Sequence, residues 1–220
     1  MLMSINCRNT VLMMTSLALS ACGGRHSSRA APIDPFTAVE IGQLPVGTLG
    51  GTNVLLLTVG GVVVGDSAQP IPELEARRSA LLESANVLLD SAVRRDGREV
   101  NWMGLEEQRR AARRNPTLGL EPDRFATSYL IGRRMEKVPD PLFAQLRSLA
   151  AVTSARYAVV PAGVRITGTA GAYVASYVVV VADARTGTVM LRIRATGHSA
   201  PSPEAAMASA AGLLIVSPLH

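Results

Sequence analysis

The chain has 220 residues, 48% of them hydrophobic and 18% charged, with a formal net charge of +5. That composition excludes a wholly disordered chain, a coiled coil and a collagen-like repeat, and the length allows one domain plus a tail. Aromatic residues are only 4%, so the core must be aliphatic, and His26, His198 and His220 are too scattered for a His-rich metal site.

The N-terminus carries one positive residue, Arg8, and then an apolar run from Val11 to Leu19. The run has signal-peptide length and falls short of the ~20 residues a spanning helix needs. It ends in Leu19-Ser20-Ala21-Cys22, followed by Gly23-Gly24. These residues resemble the lipobox of bacterial lipoproteins, in which two small residues precede an acylated cysteine. The resemblance implies a lipoprotein signal peptide over 1–21, cleavage before Cys22, and acyl chains such as palmitate on Cys22. It also implies a membrane anchor, and Gly rather than Asp at position 23 favours the outer membrane, facing the periplasm. Cys7 would leave with the signal and Cys22 would be capped, so no disulfide and no thiol chemistry are expected. No cofactor is expected beyond the covalent lipid.

Residues 22–50 read as the lipidated cysteine and a flexible tether, rich in Gly, Ser and Pro, with a reach of ~30 Å. A single α/β domain is expected over 51–220. Val54 to Val59 is a β-prone run, closed by Gly60-Gly61 and resumed at Val62 to Val64; continuous apolar runs suit strands buried on both faces. Residues 72–95 predict the longest helix, with Pro72 in its first turn, Leu81, Leu88 and Leu89 toward the sheet, and Gly97 after its end. Glu99 to Met103 is a short strand, Leu105 to Asn115 a basic helix stopped by Pro116, and Asp123 to Arg134 a further helix. Asp140-Pro141 opens another helix. Three strands follow, from Tyr157, from Tyr173 to Ala182, and from Val189 to Thr196. Asp183 to Gly187 turns between the last two. Val189, Leu191, Ile193 and Ala195 alternate with Met190, Arg192 and Arg194, giving one apolar and one largely cationic face. Ser202 or Pro203 starts a final helix to Leu214.

From Leu146 onward, Ala155-Arg156-Tyr157-Ala158-Val159-Val160 and Asp183-Ala184-Arg185-Thr186-Gly187-Thr188-Val189 resemble a group of envelope lipoprotein domains. The group includes the curli-secretion channel lipoprotein, the lipoprotein activators of penicillin-binding proteins, the flagellar outer-membrane lipoprotein and the N-terminal domain of the Tol-system propeller protein. The resemblance spans about 52–216 and implies an anticodon-binding-domain-like fold of the α/β (α+β-like) class, a mixed β-sheet of about five strands with helices packed on it. Where the group has Gly after the first strand, this chain has Pro161-Ala162-Gly163.

No hydrolase or metal motif stands out. There is no G-x-S-x-G, His198 lacks a plausible base–nucleophile partner, and no Cys/His pair has ligand spacing. Gly60-Gly61 lacks a phosphate-loop pattern and reads as a close backbone crossing. The arginines are the unusual feature. Only Lys137 among the 22 cations is a lysine. Arg109, Arg110, Arg113 and Arg114 fall within six residues, with Arg133 and Arg134 downstream. At helical spacing they form i, i+4 pairs, and Glu106 faces Arg110 in the favourable orientation. They are candidates for docking an envelope protein or an anionic envelope component, against a plain solvated face. Nucleic acid is not expected as a partner for an exported chain. Trp102, the only tryptophan, is either a core plug or an interface anchor. The expectation is a non-catalytic binding or assembly factor in the cell envelope, held to the membrane by lipid. The alternatives are a structural subunit of a secretion or surface-assembly apparatus, and an envelope hydrolase with an unrecognised site.

Overall fold

Backbone pairing puts the apolar runs into one mixed sheet, in the spatial order Asn101–Met103, Asn53–Leu56, Tyr157–Thr169, Ala172–Asp183, Val189–Thr196, with Val62–Val64 also paired to Tyr157–Thr169. A computed structural model describes residues 34–65, 71–132 and 135–215 of the protein. The strands are β1 (Asn53–Leu56), β2 (Val62–Val64), β3 (Asn101–Met103), β4 (Tyr157–Thr169), β5 (Ala172–Asp183) and β6 (Val189–Thr196). The helices are α1 (Val46–Leu49), α2 (Pro72–Glu75), α3 (Arg78–Asp96), α4 (Leu105–Arg114), α5 (Leu142–Thr153) and α6 (Pro203–Gly212). Strands β1 and β2 both run parallel to β4, and β3 runs parallel to β1; β4, β5 and β6 form an antiparallel meander.

The sheet is covered on both faces, which explains its unalternating apolar strands. Val54, Leu56, Val159, Val179 and Val181 point into one cluster with Leu81, Leu89 and Met207 of α3 and α6. Leu55, Leu57, Val160, Val178 and Val180 point into a second with Leu142, Leu146 and Leu149 of α5. Leu88, expected beside Leu89 on the sheet, is only partly buried at the flank of the first cluster.

Three expectations meet corrections in detail. The helix over 72–95 is two helices, because Arg77 leaves the helical region at φ −102° and ψ 8°. That turn lets Ile71 and Leu74 enter the cluster that Leu81 also enters. The helix over 123–134 is absent from the described part of that span, where two 3₁₀ turns, Pro122–Arg124 and Thr127–Leu130, stand instead. Phe125 between them is extended and buried, and the Thr127 hydroxyl donates to the Thr58 carbonyl at 3.2 Å. Finally, the residues read as tether beyond 33 pack on the body. Phe36, Val39, Leu44, Val46 and Leu49 are all buried, so the folded unit extends upstream of residue 51.

That N-terminal segment covers the cationic face of the last strand. Arg194 donates to the Phe36 carbonyl at 3.0 Å, and its backbone N–H donates to the Glu40 carbonyl at 2.8 Å. Arg165 on β4 pairs with Asp34 and stacks over the Phe36 ring at 4.4 Å. Arg192 donates to the Ile131 carbonyl. The β5–β6 turn forms as expected, with Asp183 Oδ1 accepting from the Arg185 and Thr186 N–H groups and Gly187 at φ +71°. Ser202 caps α6 by accepting from the Ala205 N–H at 3.2 Å.

Candidate partner-binding surface

The candidate surface is built on α4. Gly104 ends β3, and the helix starts with Glu106 and Glu107 near its positive end and finishes with Arg113 and Arg114 near its negative end, both favourable to the dipole. Its inner face is fixed by Gln108, which is 1% exposed and donates through Nε2 to the carbonyls of Leu56 (2.7 Å) and Met103 (2.8 Å). A buried amide bridging two strand ends locks the rotation of the helix and so determines which arginines face outward.

The four arginines are not equivalent. Arg109 is held by two carboxylates, Asp123 across the chain and Glu106 one turn back. Its Nε lies 3.1 Å from both Asp123 oxygens, a fork against a carboxylate. The hydrogen bond to Asp123, then that to Glu106, raises the proton affinity of Arg109, and Arg109 in turn holds the Asp123 carboxyl below the usual range. Arg110, Arg113 and Arg114 are exposed and have no ion pair among the described residues. Arg113 borders a hollow of about 440 Å³ shared with Arg109 and Arg124, while Arg110 and Arg114 border a smaller one of about 240 Å³ against Thr153. Glu106, expected to pair with Arg110, pairs with Arg109.

Trp102 is 5% exposed within the first core cluster, and its indole N–H donates to the Gly97 carbonyl at 2.8 Å. Arg133, Arg134 and Cys22 lie outside the described residues. Gln108 and Asp123 had no signal in the sequence: one looks like an ordinary helix amide, and the other is brought to Arg109 only by the 3₁₀ turn. Among the described residues, no group of three or more His, Cys, Asp or Glu is placed to hold a metal ion, and no helix is long and apolar enough to cross a membrane.

No family model and no curated protein matches the sequence. Solved structures show a distant likeness. The LpoB C-terminal domain from Salmonella enterica aligns at 14% identity and a TM-score of 0.34, over 69% of this chain and 86% of that one. The same domain from Escherichia coli aligns at 13% identity and a TM-score of 0.32, over 68% and 84%. The PelC dodecamer from Paraburkholderia phytofirmans aligns at 11% identity and a TM-score of 0.38, over 80% and 89%.

Proposed function

We propose that the protein is a lipid-anchored envelope lipoprotein whose domain is a non-catalytic binding or assembly factor, docking an anionic envelope partner through α4. The observation that carries this reading is the set of exposed, ion-pair-free guanidiniums of Arg110, Arg113 and Arg114 on a helix locked in place by Gln108. Guanidiniums with no internal partner, on a helix that cannot rotate, are pre-set for carboxylate or phosphate. The anchor is Cys22, which sets the domain at the membrane, on the periplasmic face of the outer membrane. The anticodon-binding-domain-like arrangement and membership of the envelope-lipoprotein group named above are part of the same proposal. Their support is the α5–β4–β5–β6 order with the Asp183–Gly187 turn.

The test replaces Arg110, Arg113 and Arg114 together with Gln, which keeps helix propensity. Binding to anionic lipid vesicles and capture of partners from an envelope extract are compared at low and high salt. The unmodified protein should bind in a salt-sensitive way, because exposed charges are screened beyond ~8 Å at 0.15 M, and the variant should not. Equal, salt-insensitive binding by both proteins defeats the proposal.

A further inference from the structure

The parallel neighbours β1 and β3 send the chain to opposite faces of the sheet. After β1 it runs through β2, beside β4, and α2 before α3 on the first face; after β3 it turns at Gly104 directly into α4 on the second. Connections that part in this way leave a crevice beyond the carboxyl ends of the strands, which is where open α/β sheets take their ligands. Here the crevice has a volume of about 500 Å³, within the ~300–1,000 Å³ of small-molecule sites.

Its lining is apolar within and acidic around. Leu56 and Leu57 come from the end of β1, Leu89 and Val87 from α3, and Leu105 from the start of α4. Val87 is 64% exposed, an apolar side chain with no core to enter. Gln108 bonds the Leu56 and Met103 carbonyls behind the crevice, so its two strand ends are held at fixed spacing. Asp90, Glu106 and Glu107 line it against Arg94 alone. Arg94 is bonded to Asp90 at 2.8 Å and Glu107 at 3.4 Å. Glu106 also pairs with Arg109 just outside the lining, so three carboxylates meet two guanidiniums and the hollow keeps an excess of one negative charge in a chain of net charge +5. Asn86 adds no free polarity, since it accepts from the Val59 N–H and donates to the Leu82 carbonyl.

We propose that this crevice binds a small organic cation, an apolar alkyl or aryl body lying on the leucines with one ammonium-type group among Asp90, Glu106 and Glu107. An anion would meet those carboxylates, which offset the attraction of the α4 N-terminus. The site is separate from the outer arginine face of α4, so either proposal can fail without the other.

Titration of the protein with octylammonium, octanoate and 1-octanol, read by amide chemical shifts, separates charge from chain. Octylammonium should shift α3 and the first turn of α4 and bind roughly tenfold more tightly than octanoate, with octanol between. Val87→Trp and Ser91→Trp, both at exposed positions, should block the mouth and abolish those shifts while the protein stays folded. Asp90→Asn with Glu107→Gln should remove the preference for the cation. Equal binding of octanoate, unchanged binding by both Trp variants, or no shift in these elements with millimolar octylammonium would each overturn the assignment.

Discussion

Gly60 passes the Ala162 carbonyl with no room for a Cβ between them, and its own N–H donates to the Pro161 carbonyl at 2.9 Å. The same Cβ would meet the Ser128 backbone nitrogen and would lie 2.7 Å from Thr127 Oγ1. This crossing splits what would be one long strand beside β4 into β1 and β2, and it coincides with the register shift between Pro161 and Gly163 on β4. A proline has no N–H for the ladder, and the bulge removes the need for one. Gly60→Ala should therefore destabilise the protein toward the upper end of the ~1–3 kcal/mol of overpacked cores, because two of the obstructing atoms are backbone and cannot rotate away. Urea melts check this; a midpoint within error of the parent would mean that the crossing relaxes freely.

Core and flank of α3 should separate by alanine substitution. Leu81 and Leu89 are fully enclosed at 0% and 2% exposure, and each change to Ala should cost ~2–5 kcal/mol through transfer and cavity terms. Leu88→Ala, at the partly buried flank, should cost clearly less. The order Leu81 ≈ Leu89 > Leu88 is the expected result, and a Leu88 loss equal to the others would place it inside.

Trp102 offers a test of plug against anchor. Its ring is in the core and its N–H is satisfied by Gly97. Trp102→Phe should lower stability by ~1–3 kcal/mol, through lost volume and the loss of one of the two hydrogen bonds to the Gly97 carbonyl, which keeps that from the Val100 N–H, while partner capture persists. Capture lost by a variant that remains folded would make Trp102 a contact residue.

Acid should loosen the N-terminal segment. The Arg165 hydrogen bond holds the Asp34 carboxyl below its ordinary value, against an opposing effect of burial. A depressed carboxyl stabilises the fold fully above its unfolded pKa of ~3.9 and loses that contribution as pH falls through the lower folded value. Asp34→Asn should then cost about 1 kcal/mol at neutral pH, modest because Asp34 keeps 32% of its side-chain surface. The gap between parent and variant should close below about pH 4. A gap that stays constant from pH 7 to pH 2 would show that the pair contributes nothing.

What could be read from the chain was what is decided locally. The Val54–Val59 run, the Asp183–Gly187 turn and the start of the last helix at Ser202 or Pro203 each depend on residues a few positions apart; the turn forms, α6 starts at Pro203 with Ser202 as its cap, and the run forms a strand that ends earlier, at Leu56. Phe36 to Leu49 resembled a tether because it continues the Gly-, Ser- and Pro-containing stretch before it and shows little periodicity, and its side chains find their places only against segments far along the chain, Arg165 of β4, Arg194 of β6 and Leu214 after α6 among them. The Arg109–Asp123 pair needs a 3₁₀ turn that the helical-looking 123–134 segment concealed. The crevice between α3 and α4 was invisible for the same reason: its lining comes from three separated segments, and only the parting of β1 and β3 brings them together.

The anchor and the arginine face should be separable. Cys22→Ser removes the thiol that the proposed lipidation requires, and no described helix is long and apolar enough to cross a membrane in its place. That variant should leave the membrane fraction while its purified domain still captures the anionic partner. Arg109 adds an internal control on the face itself. Its guanidinium is already engaged by Asp123 and Glu106, so Arg109→Gln should loosen the contact of α4 with the 122–124 turn and leave capture nearly intact. Replacing Arg110, Arg113 and Arg114 should do the reverse, with capture lost and thermal stability little changed. Fractionation, capture assays and melting curves on the three variants give three different patterns if α4 works as described. If Arg109→Gln weakens capture as much as the triple change does, the distinction between paired and free guanidiniums fails. The net charge of the segment, and not the orientation fixed by Gln108, would then govern docking.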